Sequence, residues 1–209
     1  MLRATGTNIS IITNFGCNKD CWYCIWKKHT LKNVNLKTDW LKLEEFLNKN
    51  NYKGKVSISG GGDSLFEYAK RQRWWNNFFE LAHKYNMLVD IHTREKLVDD
   101  KFWKKINKCS FSSDVLYQDI RYLRYLNELV EVRIVHVVTA KTTNAVIEAF
   151  LSFQAEMDCQ FTIKELIGFD DNGRYEQIKR KYPFIYYLDA GDYNTYYMPD
   201  NTVKEKFIF

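Results

Sequence analysis

The sequence predicts an α/β fold: a partial (βα)6 TIM-like barrel of parallel strands, followed by short C-terminal antiparallel strands. Three observations lead there. Short β-branched or apolar runs alternate six times with amphipathic helical stretches, which is the pattern of a parallel sheet with right-handed crossovers. Six such units are too few to close an eight-stranded barrel, so the barrel is open. Near the end the alternation gives way to consecutive strand-like runs divided by turn sequences. The 209 residues suit one domain with a real core. We place that core at about residues 7–168 and a C-terminal extension at about 169–209. Only two prolines and nine glycines occur, and no low-complexity linker breaks the chain.

The elements follow in order. Asn8 to Thr13 is a β-branched run that ends at a cysteine-rich loop, Asn14 to Trp26. Lys27 to Lys37 is polar and irregular. Thr38-Asp39 offers an N-cap to a helix with Trp40, Leu43, Phe46 and Leu47 at helical spacing. Lys55 to Ser59 is the second strand, and Gly60-Gly61-Gly62-Asp63 follows at once. A long amphipathic helix then places Trp75, Phe78, Phe79 and Ala82 on one face. Met87 to His92 is the third strand, Leu97 to Asn107 a helix, and Cys109 to Ser113 the fourth strand. Val115 to Leu129 reads as a helix with Leu116, Ile120, Leu123 and Leu126 inward. Val132 to Val138 is continuously apolar, as a buried parallel strand is. Thr143 caps a helix bearing Ile147, Phe150 and Leu151. Gln160 to Ile167 is the sixth strand and Tyr175 to Tyr182 a short helix. Phe184–Asp189, Tyr193–Met198 and Val203–Phe209 are the tail strands.

Composition narrows the class. Apolar residues make up 45% and charged residues 27%, as in a globular chain, and no apolar run is long enough to cross a membrane. Met1 to Thr5 lacks the apolar core of a secretion signal. The net charge of +5 is spread along the chain, which permits an anionic partner without demanding one.

The chemistry concentrates in Cys17-Asn18-Lys19-Asp20-Cys21-Trp22-Tyr23-Cys24, a C-x3-C-x2-C triplet. Three thiolates this close wrap one face of an iron–sulfur cluster and leave one iron open. A structural zinc or closed cluster with His29 as fourth ligand, or three unrelated buried cysteines, are the alternatives. Thiolates held as metal ligands need a reducing compartment, so we expect a cytoplasmic protein. By topology, the cysteine loop, the glycine run, Thr93, Ser112 and Thr139 all fall at the carboxyl ends of strands, where open α/β folds place their sites. Glycines after a strand let backbone approach a ligand closely, although such a run also makes a tight turn. Ser112-Ser113-Asp114 closes the fourth strand, with Asp114 also a possible helix cap. His92 and His136 read as core or supporting histidines, and Cys109 and Cys159 as inert strand thiols. The tyrosine-dense stretch Tyr186 to Tyr197 suits a flat, polar-tipped substrate, or reflects strand preference alone.

Thr13-Asn14-Phe15-Gly16-Cys17-Asn18-x-x-Cys21-x-Tyr23-Cys24 resembles the signature of the radical S-adenosylmethionine (radical SAM) superfamily. The resemblance implies a 4Fe–4S cluster on Cys17, Cys21 and Cys24, with S-adenosyl-L-methionine chelating the fourth iron and cleaved to a 5′-deoxyadenosyl radical. That radical would take hydrogen from a small molecule, nucleotide or protein substrate. An electron donor such as flavodoxin or ferredoxin is implied, and no membrane partner. Gly61, Gly62 and Asp63 resemble the family's Gly-Gly-Glu-Pro motif for the methionine amine, with Asp63 in place of Glu and Ser64 in place of Pro. By the same resemblance Tyr23 lies near the adenine and Ser112 contacts the ribose or carboxylate. Arg133, costly in an apolar strand unless paired, would meet the methionine carboxylate or else reach solvent. No side chain is assigned a catalytic role. Within the superfamily, a glycyl-radical-enzyme activase or a 7-carboxy-7-deazaguanine synthase-like enzyme are the alternatives. From another class, the alternative is a non-catalytic metal-binding module that binds nucleic acid.

Overall fold

A computed structural model describes residues 8–24, 37–52, 54–113, 120–166, 168–188 and 195–205. They group into two compact units, one from residues up to Asn107 together with the tail from Tyr193, the other from Lys108 to Asp192.

The first unit is built around β1 (Ile9–Ile12), whose four residues are all buried. β1 pairs in parallel with β2 (Lys55–Ser59), and β2 in parallel with β3 (Leu88–Thr93). A strand with parallel neighbours on both edges is covered on both faces, which is why Ile9-Ser10-Ile11-Ile12 does not alternate. Its one hydroxyl is satisfied, with Ser10 Oγ 2.7 Å from Ser59 Oγ. The crossover to β2 is α1 (Trp40–Lys49). Asp39 caps it by accepting from Lys42 N at 3.1 Å, and Leu43 and Leu47 face the sheet. The crossover to β3 is a 3-10 turn, Tyr68–Arg71, leading into α2 (Gln72–Lys84). Trp75, Phe78 and Ala82 are its buried face. Trp75 meets Phe102 edge-on at 5.0 Å.

Between Leu97 and Asn107 only one turn, α3 (Asp100–Trp103), is helical. The expected longer helix is cut short because Asp99 caps it by accepting from Phe102 N, and the Trp103 indole donates back to Leu97 O at 2.7 Å. Phe102 and Trp103 are fully buried.

In the second unit β4 (Lys108–Ser112), β5 (Glu131–Val137), β6 (Gln160–Lys164) and β7 (Tyr186–Leu188) lie side by side, all parallel. α4 (Ile120–Asn127), α5 (Asn144–Met157) and α6 (Arg174–Lys181) are its crossovers. Thr143 caps α5 as its sequence implies, accepting from Val146 N at 3.4 Å. The beginning of the predicted helix at Val115, and Asp114 as its cap, lie outside the described residues.

The tail departs from a simple run of hairpins. β7 extends the parallel sheet of the second unit. β8 (Thr195–Tyr197) returns to the first unit and pairs with β1 in parallel, Tyr196 opposite Ser10. Among the described residues only β9 (Val203–Lys204) is antiparallel, against β8. The return is latched at the cap of α1: Tyr197 OH donates to Asp39 O at 3.0 Å, and Asp39 N donates to Asn201 Oδ1 at 2.8 Å.

Candidate active site

The cysteine loop leaves the carboxyl end of β1, and the glycine run leaves the carboxyl end of β2. The register of those strands, Ile12 beside Ser59, brings the two segments together. Gly16 and Gly62 form a parallel bridge. Gly16 N donates to Gly61 O at 3.4 Å and Asp63 N to Gly16 O at 2.8 Å. The approach is close enough to require glycine. A Cβ on Gly61 would lie 1.2 Å from Thr13 O, and one on Gly62 2.1 Å from Gly16 O, with φ of +61° and +117° at the two positions. Arg71 braces the loop from α2's entry, donating to Phe15 O at 2.8 Å and lying over the Phe15 ring at 4.4 Å.

Asp63 is buried and fully engaged. Its Oδ1 accepts from Thr93 Oγ1 at 2.6 Å and Leu65 N at 2.9 Å, and its Oδ2 from Arg94 N at 2.6 Å. Burial pushes its carboxyl above the ordinary aspartate value, against the pull of those three donors. The carboxylate thus anchors the end of β3. Ser64, at the proline position of the resembling motif, donates to Ile58 O at 3.2 Å and to His92 O, tying β2 to β3.

All three loop cysteines are free thiols and half-buried, whereas Cys109 is buried in β4 and Cys159 is buried just before β6. Cys17 Sγ accepts from Lys19 N at 3.3 Å, and burial pushes its thiol up. Arg94 Nη1 donates to Cys21 Sγ. Tyr23 is half-buried, with burial first and the neighbouring Cys21 second raising its phenol. Trp22 is exposed and meets Tyr23 edge-on at 5.5 Å. Among the described residues no three His, Cys, Asp or Glu side chains converge on a single ion. Three thiols on one loop are a donor set that suits an iron–sulfur cluster. His29 lies outside the described residues.

The remaining predicted residues belong to the second unit. Ser112 ends β4, half-buried. Its neighbour Ser113 is buried, with Oγ 2.8 Å from His136 Nδ1, and His136 Nε2 is 3.1 Å from Thr142 Oγ1. Arg133 is placed away from the carboxyl ends. It lies near the start of β5 opposite Gln160, donates from Nε to Gln160 Oε1 at 2.8 Å, and stacks over Tyr186 at 5.5 Å. That setting answers the cost of its burial without a ligand.

Burial pushes the His136 imidazole down to about 4. The folded protein therefore holds it neutral, while the unfolded chain takes up a proton near pH 6.5. Stability from this site is complete above pH 6.5 and is lost as pH falls toward 4. Denaturant titrations should show a loss of about 2 kcal/mol between pH 6.5 and pH 5. His136→Asn should flatten that slope, and an unaltered slope would remove His136 as its source.

Arg94, Arg71 and Ser64 carry no sequence signal for these roles. A Thr-Arg pair closing a strand marked only where the site's face lies.

No family model matches the sequence, and no curated protein matches it. Solved structures do. Streptococcus suis SuiB bound to S-adenosylmethionine aligns over 97% of this chain and 60% of its own, with a TM-score of 0.64 and 15% identity. Native anSMEcpe with bound AdoMet and Cp18Cys peptide aligns over 98% of this chain and 74% of its own, at 0.64 and 14%. SuiB bound to the precursor peptide SuiA aligns over 95% of this chain at 0.63 and 14%. The chain thus spans about three fifths of the length of SuiB. The fold of this chain is the fold of these structures, and its strands are mostly parallel, with a short antiparallel pair at the end.

Proposed function

We propose that this chain is a radical SAM enzyme that reductively cleaves S-adenosyl-L-methionine at a 4Fe–4S cluster and abstracts hydrogen from a substrate. The observation that carries this reading is the joint between the cysteine loop and the glycine run, where two backbones meet through glycines that admit no side chain. Sequence separates the motifs by about forty residues, and the parallel pairing of β1 with β2 sets them side by side.

When bound, the cluster and S-adenosyl-L-methionine supply one-electron cleavage of a carbon–sulfur bond and the hydrogen abstraction that follows. The chain's own residues bind and orient. Cys17, Cys21 and Cys24 ligate the irons. The Gly61-Gly62 backbone receives the methionine part, and Asp63 holds that backbone in register with β3. Tyr23, half-buried beside Cys21, supplies an apolar wall on the adenine side. Ser112 is offered as a ribose or carboxylate contact. For Arg133, the bond to Gln160 and the stack on Tyr186 favour a structural role.

A peptide or protein is the substrate class we favour, because SuiB and anSMEcpe were each solved with a peptide bound. An electron donor of the flavodoxin or ferredoxin kind completes the reading, in the reducing conditions of a cytoplasm. No described helix is long and apolar enough to cross a membrane.

The test uses the whole chain, purified without oxygen and reconstituted with iron and sulfide. It should hold about four irons, bind S-adenosyl-L-methionine and release 5′-deoxyadenosine when dithionite is added. A loaded protein that neither binds the cofactor nor yields product would end this reading.

A further inference from the structure

We propose that Arg94 is a positioning residue that sets the reduction potential of the cluster through a hydrogen bond to the Cys21 sulfur. This inference rests on the cluster reading above and adds to it a residue that departs from simple ligand chemistry.

The geometry begins at Asp63. Its carboxylate takes the Arg94 backbone N–H at 2.6 Å and the Thr93 hydroxyl at 2.6 Å. Thr93 Oγ1 in turn accepts from Glu95 N at 2.9 Å. Three consecutive residues at the end of β3 are therefore fixed by one buried acid. A long side chain on a fixed backbone loses less freedom when its tip is held in one place. That tip, Nη1, reaches Cys21 Sγ across 73 positions of sequence.

Cys17 and Cys21 receive different donors. Cys17 Sγ receives a neutral backbone N–H from Lys19 at 3.3 Å. Cys21 Sγ receives a cationic guanidinium, a charge-assisted donor of roughly twice the strength of a neutral one.

Hydrogen bonds and charge at cluster sulfurs are the levers by which a protein tunes such a centre. Reduction adds one electron, from a donor of the flavodoxin or ferredoxin class, and breaks no bond. The added negative charge spreads onto the ligand sulfurs. A guanidinium at Cys21 stabilises that reduced form over the oxidised one and so raises the potential. It makes the cluster easier to reduce by a modest donor, and lowers its driving force toward the sulfonium. Lysine in this place would keep the charge and lose the planar fork.

The experiment is a redox titration of the reconstituted full chain, followed by electron paramagnetic resonance of the reduced cluster without S-adenosyl-L-methionine. Parent, Arg94→Lys and Arg94→Met proteins are compared at equal iron content. At a fixed poise near the parent midpoint, Arg94→Met should lower the reduced-to-oxidised ratio about tenfold, equivalent to about 59 mV for one electron. Arg94→Lys should recover at least half of that shift. Ratios within about twofold of the parent in the Met variant would overturn the inference. So would a failure of both variants to hold iron, since Arg94 would then be a folding residue. A parent that holds no cluster overturns the cluster reading together with this one, whereas a loaded parent with unmoved variants overturns this one alone.

Discussion

Gly61→Ala should cost the folded protein more than about 4 kcal/mol, enough to take a marginally stable domain close to unfolding. Two effects add. The position has φ of +61°, where an L side chain costs about 1 kcal/mol or a little more. The new Cβ would also sit 1.2 Å from Thr13 O, a backbone atom at the end of β1 that cannot swing aside as a side-chain tip does. Relief requires parting the cysteine loop from the glycine run, with loss of the bonds from Gly16 N to Gly61 O and from Asp63 N to Gly16 O. Gly173→Ala is the matched control. Its φ is +70° and nothing lies within 4 Å of its Cβ position, so only the backbone term of about 1 kcal/mol remains. Thermal melts of the two variants should separate widely. If they fall together, the close approach described for Gly61 is wrong.

Cys24→Ala should drop iron from about four per chain to below one, and abolish 5′-deoxyadenosine. Removing one of three protein ligands leaves two, too few to hold a cluster against exchange. Cys109→Ala and Cys159→Ala supply the contrast. Cys109 is buried in β4 at 0% exposure and Cys159 just before β6 at 7%, where burial pushes the Cys159 thiol up to about 11 and keeps it protonated. Their variants should keep full iron and pay only a packing cost of about 1–2 kcal/mol. Iron near half in either one would mean a second cluster at these cysteines. Full iron in Cys24→Ala would remove the triplet from the metal site.

Much of this was legible in the chain because the relevant signals are local. A β-branched run before Cys17, a glycine run after a β-branched strand, and caps at Asp39 and Thr143 each declare themselves within a few residues. Parallel pairing then carried the two motifs to one end of the first unit without further information. What stayed hidden is what side chains do across distance. Arg94 reaching Cys21, Ser64 bridging two carbonyls, and Asp63 spending its oxygens on β3 depend on register and reach, which no spacing reveals. The partner of Arg133 stayed hidden for the same reason, since Gln160 begins a different strand. The truncated helix at Asp100–Trp103 shows tertiary packing overriding a periodic pattern, with an indole bonded back to Leu97.

The pairing of β8 with β1 has a consequence for the order of events during synthesis. Ser10 leaves the ribosome 186 residues ahead of its partner Tyr196. Until then β1 presents an open edge right beside the thiols, and the latch at Asp39 has nothing to close on. Contacts of such long sequence separation form slowly, because the intervening chain must first be brought together. Iron loading before Tyr196 emerges would therefore meet a loop whose supporting strand is half-paired, and nascent chains stalled short of Tyr196 should exchange the β1 amides faster than chains that include it.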